Sequence, residues 1–179
     1  ILVGPVSQST ARPRSEIGWP FTRATEWGSE RGMAAVDVGV SSELSPERAW
    51  ELASDLRRFG EWLTIFGGWR SDVPAVIDVD TQVASCIKVK GFRNVIHWRV
   101  TRYDEPKEIE LVGTGRGGVR ITLTMQVEPH AGAGGSEGSN FRVLAELSGG
   151  LLNAPIGGVV ARIIHGDVRR SVGNLAALR

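Results

Sequence analysis

The middle of the chain alternates hydrophobic and polar residues. This period of two predicts β-strands with one face packed in the core and one face exposed to solvent. The clearest case is residues 119–127, where every odd position is hydrophobic. Turn residues such as Glu105-Pro106 separate neighbouring segments, which favours an antiparallel meander. We predict strands within residues 35–42, 83–90, 96–101, 109–111, 119–127 and 141–147.

Two regions have the longer period that is typical of helices. Ser45 is a suitable N-cap and Pro46 fits the first helical position, so a short helix is predicted there. A second short helix is predicted over about residues 57–63. Residues 155–178 place hydrophobic side chains at helical spacing with arginines mainly on the other side, which predicts a helix roughly 35 Å long.

This order of elements predicts an α+β fold. A strongly curved antiparallel sheet of about seven strands would wrap around the long C-terminal helix, with two short helices after the first strand. Residues 33–179 would form this domain. Residues 1–32 hold three prolines, many small polar residues and no sustained period, so we expect a flexible N-terminal extension. We expect the glycine-rich residues 130–140 to be a hairpin tip.

Composition and charge exclude several classes of function. The chain has 179 residues, of which 21 are Lys or Arg and 20 are Asp or Glu, so no overall field attracts nucleic acid or an anionic membrane. Cys86 is the single cysteine and the three histidines lack ligand spacing, so no disulfide, metal site or cofactor is predicted. We expect no transmembrane segment, because no apolar run is long enough, and no leader peptide, because residues 1–32 lack a basic region followed by an apolar stretch. A cytoplasmic protein is the default expectation.

The element order, with SPERAWELASDLRRFGEWL near the start and a long C-terminal helix, resembles the START-like helix-grip superfamily. That superfamily includes polyketide cyclases and lipid-transfer proteins, and the resemblance covers residues 35–178. It implies a cavity between sheet and C-terminal helix that binds a hydrophobic small molecule, such as a lipid or polyketide.

Four motifs resemble a narrower actinobacterial branch of the superfamily: SDLRRFGEWLTIFGGWRSDVP, VKGFRNVIHWRVTRYDEP, GTGRGGV and GGLLNAPIGG. Members of this branch are labelled toxins of type II toxin–antitoxin pairs. The resemblance therefore implies a cognate antitoxin as a candidate partner, and a homodimer is a further candidate assembly.

The candidate ligand-binding residues are hydrophobic side chains expected to face the cavity or its entrance. They are Trp62, Phe66, Trp69, Ile87, Trp98, Leu111, Leu123, Met125, Phe141, Val160 and Ile164. Candidate polar contacts are Ser85, Tyr103 and His165. The alternative for each aromatic ring is a purely structural place in the core. Strand register decides whether a residue faces the cavity, because a slip of one residue moves every side chain of a strand to the opposite face of the sheet.

Two nucleotide-related interpretations are weaker. The glycines of GTGRGGV have the spacing of a phosphate loop, but a strand rather than a helix is predicted after them, so a hairpin turn or bulge is favoured. Trp62, Trp69 and Trp98 would stack on bases only beside a basic groove, and the domain is neutral. Nucleic acid is therefore not an expected partner.

Catalysis has no support from spacing alone. His97 and Arg99 alternate with hydrophobic positions and are expected to face solvent. No Asp/Glu pair or Ser-His-Asp set can be assembled, so no catalytic residue is assigned. Two alternatives to a binding protein stay open. One is a cyclase- or dehydratase-like enzyme acting on an aromatic polyketide, and the other is a toxin that acts through protein interaction.

Overall fold

A computed structural model describes residues 32–131, 137–153, 155 and 157–178. The predicted extension falls almost entirely outside these residues, as does the centre of the predicted hairpin tip. The strands and helices, in chain order, are β1 (Met33–Ser42), α1 (Pro46–Ser54), α2 (Phe59–Trp62), β2 (Phe66–Trp69), β3 (Gln82–Val89), β4 (Phe92–Asp104), β5 (Glu108–Thr114), β6 (Arg120–Ala131), β7 (Glu137–Ser148) and α3 (Gly157–Ala177).

The seven strands form one antiparallel sheet in the order β1-β7-β6-β5-β4-β3-β2. The predicted α+β architecture is confirmed: the sheet is curled, two short helices follow β1, and a long helix ends the chain. Alternation determines which face is packed, since every odd residue of β6 from Ile121 to Val127 is buried.

Local sequence explains where the helices begin and what they cover. The Ser45 hydroxyl accepts a hydrogen bond from the Arg48 backbone N–H at 3.3 Å and caps α1. On α3, Ile164, Val168 and Val172 are buried at four-residue intervals, which is one helical stripe. These two helices contact the sheet from the same side, α1 on β6 and β7 and α3 on β1 and β7.

The glycines of GTGRGGV have two different structural roles. Gly117 and Gly118 have φ angles of 75° and 72° and form the turn between β5 and β6, as the sequence predicts. Gly113 instead pairs with Trp98 across the β4–β5 ladder. A Cβ atom at Gly113 would lie 2.6 Å from the Trp98 ring, so the missing side chain provides the space that the indole occupies.

The close approach of Gly113 and Trp98 generates a stability prediction. We expect Gly113→Ala to lower the free energy of unfolding by about 1–3 kcal/mol, because overpacking forces the ring and strand to shift. Gly166→Ala is the matched control: it lies on the exposed side of α3 with no atom within 4 Å of an added Cβ, and alanine favours helix by about 1 kcal/mol. Urea denaturation measures both. A Gly113→Ala variant as stable as the wild type would contradict this packing.

Candidate functional site

An apolar cavity of about 40 Å³ lies between the concave face of the sheet, α3 and the segment that joins α2 to β2. It is enclosed on three sides by elements distant in sequence. Its wall is formed by Trp62, Leu63, Ile65, Ile87, Trp98, Ile121, Leu123, Val143, Ala145, Leu147, Ile164, Val168, Ser171 and Val172.

The four aromatic rings of LRRFGEWLTIFGGWR form one continuous cluster. Phe59 contacts Trp62 at a centroid distance of 5.1 Å and Trp69 at 5.8 Å, and Phe66 contacts Trp69 at 5.1 Å. A shift in register inside β2, at Gly67-Gly68, brings Phe66 and Trp69 to the same side of the sheet. Only Trp62 of these four lies on the cavity wall, and Phe59 packs against it.

The predicted ligand-binding residues divide into two groups. Those on the wall are Trp62, Ile87, Trp98, Leu123 and Ile164. Those outside it are Phe66, Trp69, Leu111, Met125, Phe141 and Val160. For Met125 of β6 and Phe141 of β7, the physical reason is that α1 packs against these two strands and fills that part of the space under the sheet. Whether the wall residues contact a ligand stays a prediction.

Several wall residues were missed by the sequence analysis although a signal for them existed. Ile121 has the same alternation as Leu123, and Val168 and Val172 continue the helical stripe from Ile164. The residues of β7 that reach the cavity follow from the pairing of β6 with β7. That pairing is not readable from one strand alone.

The three candidate polar contacts lie off the wall. The Ser85 hydroxyl accepts a hydrogen bond from the Trp98 indole N–H at 2.9 Å and so fixes the orientation of a wall residue. Tyr103 packs its ring edge-on against Trp50 at 5.5 Å. Burial, followed by the nearby Glu105 charge, raises the pKa of Tyr103 above its ordinary value. His165 is half-buried on α3 beside Ile164.

The side chains expected to face solvent do so. His97 and Arg99 are both exposed on β4, and Arg99 forms an ion pair with Asp80 at 2.6 Å. Within the described ranges, no group of three or more His, Cys, Asp or Glu side chains is arranged to hold a metal ion. No helix in the part of the chain that the structure describes is long and apolar enough to cross a membrane.

Hydrogen bonds join the α2–β2 segment to α3 at the edge of the cavity. The Thr64 backbone N–H donates to the Ser171 hydroxyl at 3.0 Å, and that hydroxyl donates to the Asp167 carbonyl at 2.7 Å. The Asn174 amide donates to the Trp62 carbonyl at 3.3 Å. Ser171, although on the wall, therefore already has its polar partners.

Trp62 differs from Ser171 in this respect. Its indole nitrogen is buried and has no hydrogen-bond partner among the residues that the structure describes, although the ring forms part of the cavity wall. A buried donor without an acceptor costs about 1–3 kcal/mol. The wall carries no charged side chain, and burying an unpaired charge there would be costly. The site therefore suits an uncharged, apolar molecule.

A curled antiparallel sheet that wraps around a long C-terminal helix, with an apolar cavity between them, defines the START-like helix-grip class. The fold is similar to that of a START superfamily protein from Mycobacterium smegmatis, with a TM-score of 0.63, 15% identity, and coverage of 80% of this chain and 94% of that chain. The fold is also similar to that of a protein from Chromobacterium violaceum, with a TM-score of 0.58, 14% identity, and coverage of 81% of this chain and 96% of that chain.

Residues 33–178 match the model of the family described as polyketide cyclase / dehydrase and lipid transport, and the chain belongs to this family. It is 39% identical over 146 residues to a Mycobacterium tuberculosis protein named Toxin Rv0910, covering 82% of this chain and 98% of the toxin. It is 36% identical over 146 residues to Uncharacterized protein Rv1546 of the same organism, and the alignment covers 82% of this chain and 99% of that relative. The resemblance found in the sequence is thereby confirmed.

Two buried serines allow a test of the hydrogen bond that orients Trp98. We expect Ser85→Ala to lower the free energy of unfolding by about 1–3 kcal/mol, because the buried indole N–H loses its acceptor. Ser139→Ala is the matched control, since the Ser139 hydroxyl is buried without a partner among the described residues. We expect that variant to be as stable as the wild type or more so. Equal losses in urea denaturation would contradict the assignment.

Proposed function

We propose that the protein binds or carries an uncharged hydrophobic small molecule, such as a lipid or polyketide, in the cavity between the sheet and α3. The observation that carries the proposal is the cavity wall, which is formed by apolar side chains and the already bonded Ser171. Family membership supports the same chemistry, because the family description includes lipid transport.

Binding requires the cavity to widen. Its volume of about 40 Å³ is far below the roughly 300–1,000 Å³ of pockets that enclose drug-sized ligands. We infer that the α2–β2 segment moves away from α3, which would break the side-chain hydrogen bonds that Thr64, Ser171 and Asn174 form between these elements. Burial of apolar ligand surface at about 25 cal/mol per Å² would offset the cost of opening.

A cavity-filling substitution tests ligand binding. Ala145 is buried on the wall, and we expect Ala145→Leu to lower the affinity for the neutral fluorescent probe N-phenyl-1-naphthylamine by at least about tenfold, because the added atoms occupy the ligand's space. Fluorescence titration measures probe binding and circular dichroism confirms folding.

Ala35→Leu serves as the control for this substitution. Ala35 lies on β1 between the buried Ala34 and Val36, so alternation directs its side chain to the outer face. Probe affinity in this variant should match that of the wild type. A wild-type protein that does not bind the probe, or an Ala145→Leu variant that binds it equally well, would contradict the proposal.

A cyclase- or dehydratase-like activity on an aromatic polyketide is less well supported. The family description includes such enzymes, but the cavity wall consists of apolar side chains and the already bonded Ser171. Proton transfer to a substrate needs a titratable group within hydrogen-bond reach. The wall therefore favours binding over turnover.

A toxin is the second candidate function. Its specific support is the relative named as a toxin, which is 39% identical and aligns over 98% of its own length. On this proposal the protein inhibits growth and is neutralised by a cognate antitoxin. Ligand binding and toxicity are compatible, because a toxin could act by sequestering an apolar metabolite.

Induced expression in a mycobacterial host tests this candidate. If toxicity depends on the cavity, wild-type protein should slow growth and Ala145→Leu should slow it markedly less, with equal protein levels verified by immunoblot. The control is Ala35→Leu, which should behave as the wild type. Growth unaffected by the wild-type protein would reject the toxin candidate, whereas equal inhibition by all three proteins would place toxicity outside the cavity.

A further inference from the structure

One end of the domain concentrates positive charge that the nearly neutral total conceals. The β3–β4 hairpin, the β5–β6 turn and the connection into α3 all lie at this end, in residues 88–94, 114–120 and 148–162. These segments contain several Lys and Arg residues and no Asp or Glu. Acidic residues are instead frequent in the opposite connections, for example in residues 72–80 and 104–110.

Direct contacts join the three connections. The Asn94 side-chain amide donates to the Arg116 carbonyl at 3.0 Å, and the Arg116 backbone N–H donates to the Asn94 side-chain oxygen at 3.0 Å. The β5–β6 turn also contacts the short 3₁₀ helix at residues 150–153, which leads into α3. We call this surface the basic rim, and its residues are Lys88, Lys90, Phe92, Arg93, Arg116, Val159 and Arg162.

The cations of the basic rim are exposed. Within the described residues, none of them forms an ion pair, since the arginines in salt bridges are at other positions. The acidic residues closest along β7 and α3 are Glu146 and Asp167, and Asp167 already pairs with Arg170. Among the described residues, no ion pair therefore neutralises the positive charge at this end.

The basic rim also exposes large hydrophobic side chains. Phe92 is 56% exposed and Val159 is 62% exposed. Phe92 pairs with Val89 across a two-residue turn in which Lys90 and Gly91 have φ angles of 45° and 85°, the geometry of a tight hairpin. Phe92 therefore begins β4 directly after the turn residues Lys90 and Gly91.

The basic rim lies at the same end of the domain as the cavity. Three residues of the cavity wall adjoin the segments that form this end. Ile87 directly precedes residues 88–94, Ile121 directly follows residues 114–120, and Leu147 directly precedes residues 148–162. Phe92, Ile96 and Trp98 are even-numbered residues of β4, and the even-numbered side chains of this part of the strand face the concave side of the sheet. A surface bound to the rim would thus lie close to the cavity.

We propose that the basic rim docks on the surface of an anionic phospholipid bilayer. Its cations would lie among the headgroups, and Phe92 and Val159 would enter the boundary between headgroups and acyl chains, as amphipathic basic surfaces do. Exposed aliphatic and aromatic side chains among unpaired cations favour a bilayer over a nucleic acid, which requires a basic groove with stacking platforms. Docking is a property of the surface and does not require that the cavity bind a ligand.

Vesicle co-sedimentation of the full chain tests this proposal. We expect binding to phosphatidylcholine vesicles that contain phosphatidylglycerol, weakening as salt is added, and little binding to pure phosphatidylcholine vesicles. The double variant Lys90→Glu/Arg116→Glu should bind at least about 30-fold more weakly. The matched control Lys107→Glu/Arg169→Glu makes the same change of charge at exposed positions away from the rim and should retain binding.

A second pair of variants tests the hydrophobic contribution. Phe92→Ala should weaken binding by about tenfold because less apolar surface enters the bilayer. Val76→Ala is the control, since Val76 is 77% exposed in another loop. Circular dichroism and N-phenyl-1-naphthylamine titration of each variant should match the wild type, so that loss of docking is distinguished from loss of the fold or of the cavity.

Three outcomes would overturn the proposal. The first is no binding of the wild type to anionic vesicles. The second is equal loss in the rim variant and its control, which would indicate a response to total charge alone. The third is binding to a short DNA duplex without binding to vesicles, which would assign the basic rim to nucleic acid.

Discussion

The packing of α3 against the concave face of the sheet is the interaction on which the rest of the structure depends. The stripe formed by Ile164, Val168 and Val172 is buried, and burial of such side chains contributes about 1.5–3 kcal/mol each. A straight helix cannot fill a curved sheet everywhere, and α1 fills only one part of the remaining space. The cavity is the part left between α3, the sheet and the α2–β2 segment.

Much of the fold was predictable because alternation and helical spacing are local properties of the sequence. They identified the strand-rich middle, the N-cap at Ser45 and the long C-terminal helix. The candidate site was predictable only in part. Phe66 and Trp69 are three residues apart, so simple alternation would direct them to opposite faces, yet the register shift at Gly67-Gly68 brings them together.

The register between strands explains the other differences. Leu123 was predicted to reach the cavity and lies on its wall, whereas Met125, one step further along the same face of β6, is buried outside it. Alternation gives the same signal for both residues. What separates them is the position of α1 and α3 over the sheet, which depends on contacts between elements far apart in the sequence.

Charge shows the same limit of sequence reasoning. A net charge near zero excludes a strong overall field, but it does not describe how the charges are distributed. Hairpin turns bring Lys90 and Arg116 to one end of the domain, close to the exposed Phe92. The same end holds one side of the cavity, which gives a physical link between an apolar ligand and the surface from which it would be taken.

Native mass spectrometry of the protein purified from its own host tests whether the cavity binds a hydrophobic molecule. We expect one additional neutral molecule per chain, mostly hydrocarbon in composition. Its removal should lower the Tm, because a ligand that binds only the folded state stabilises it. A protein found at its sequence mass alone, with a Tm unchanged by repeated delipidation, would contradict the account.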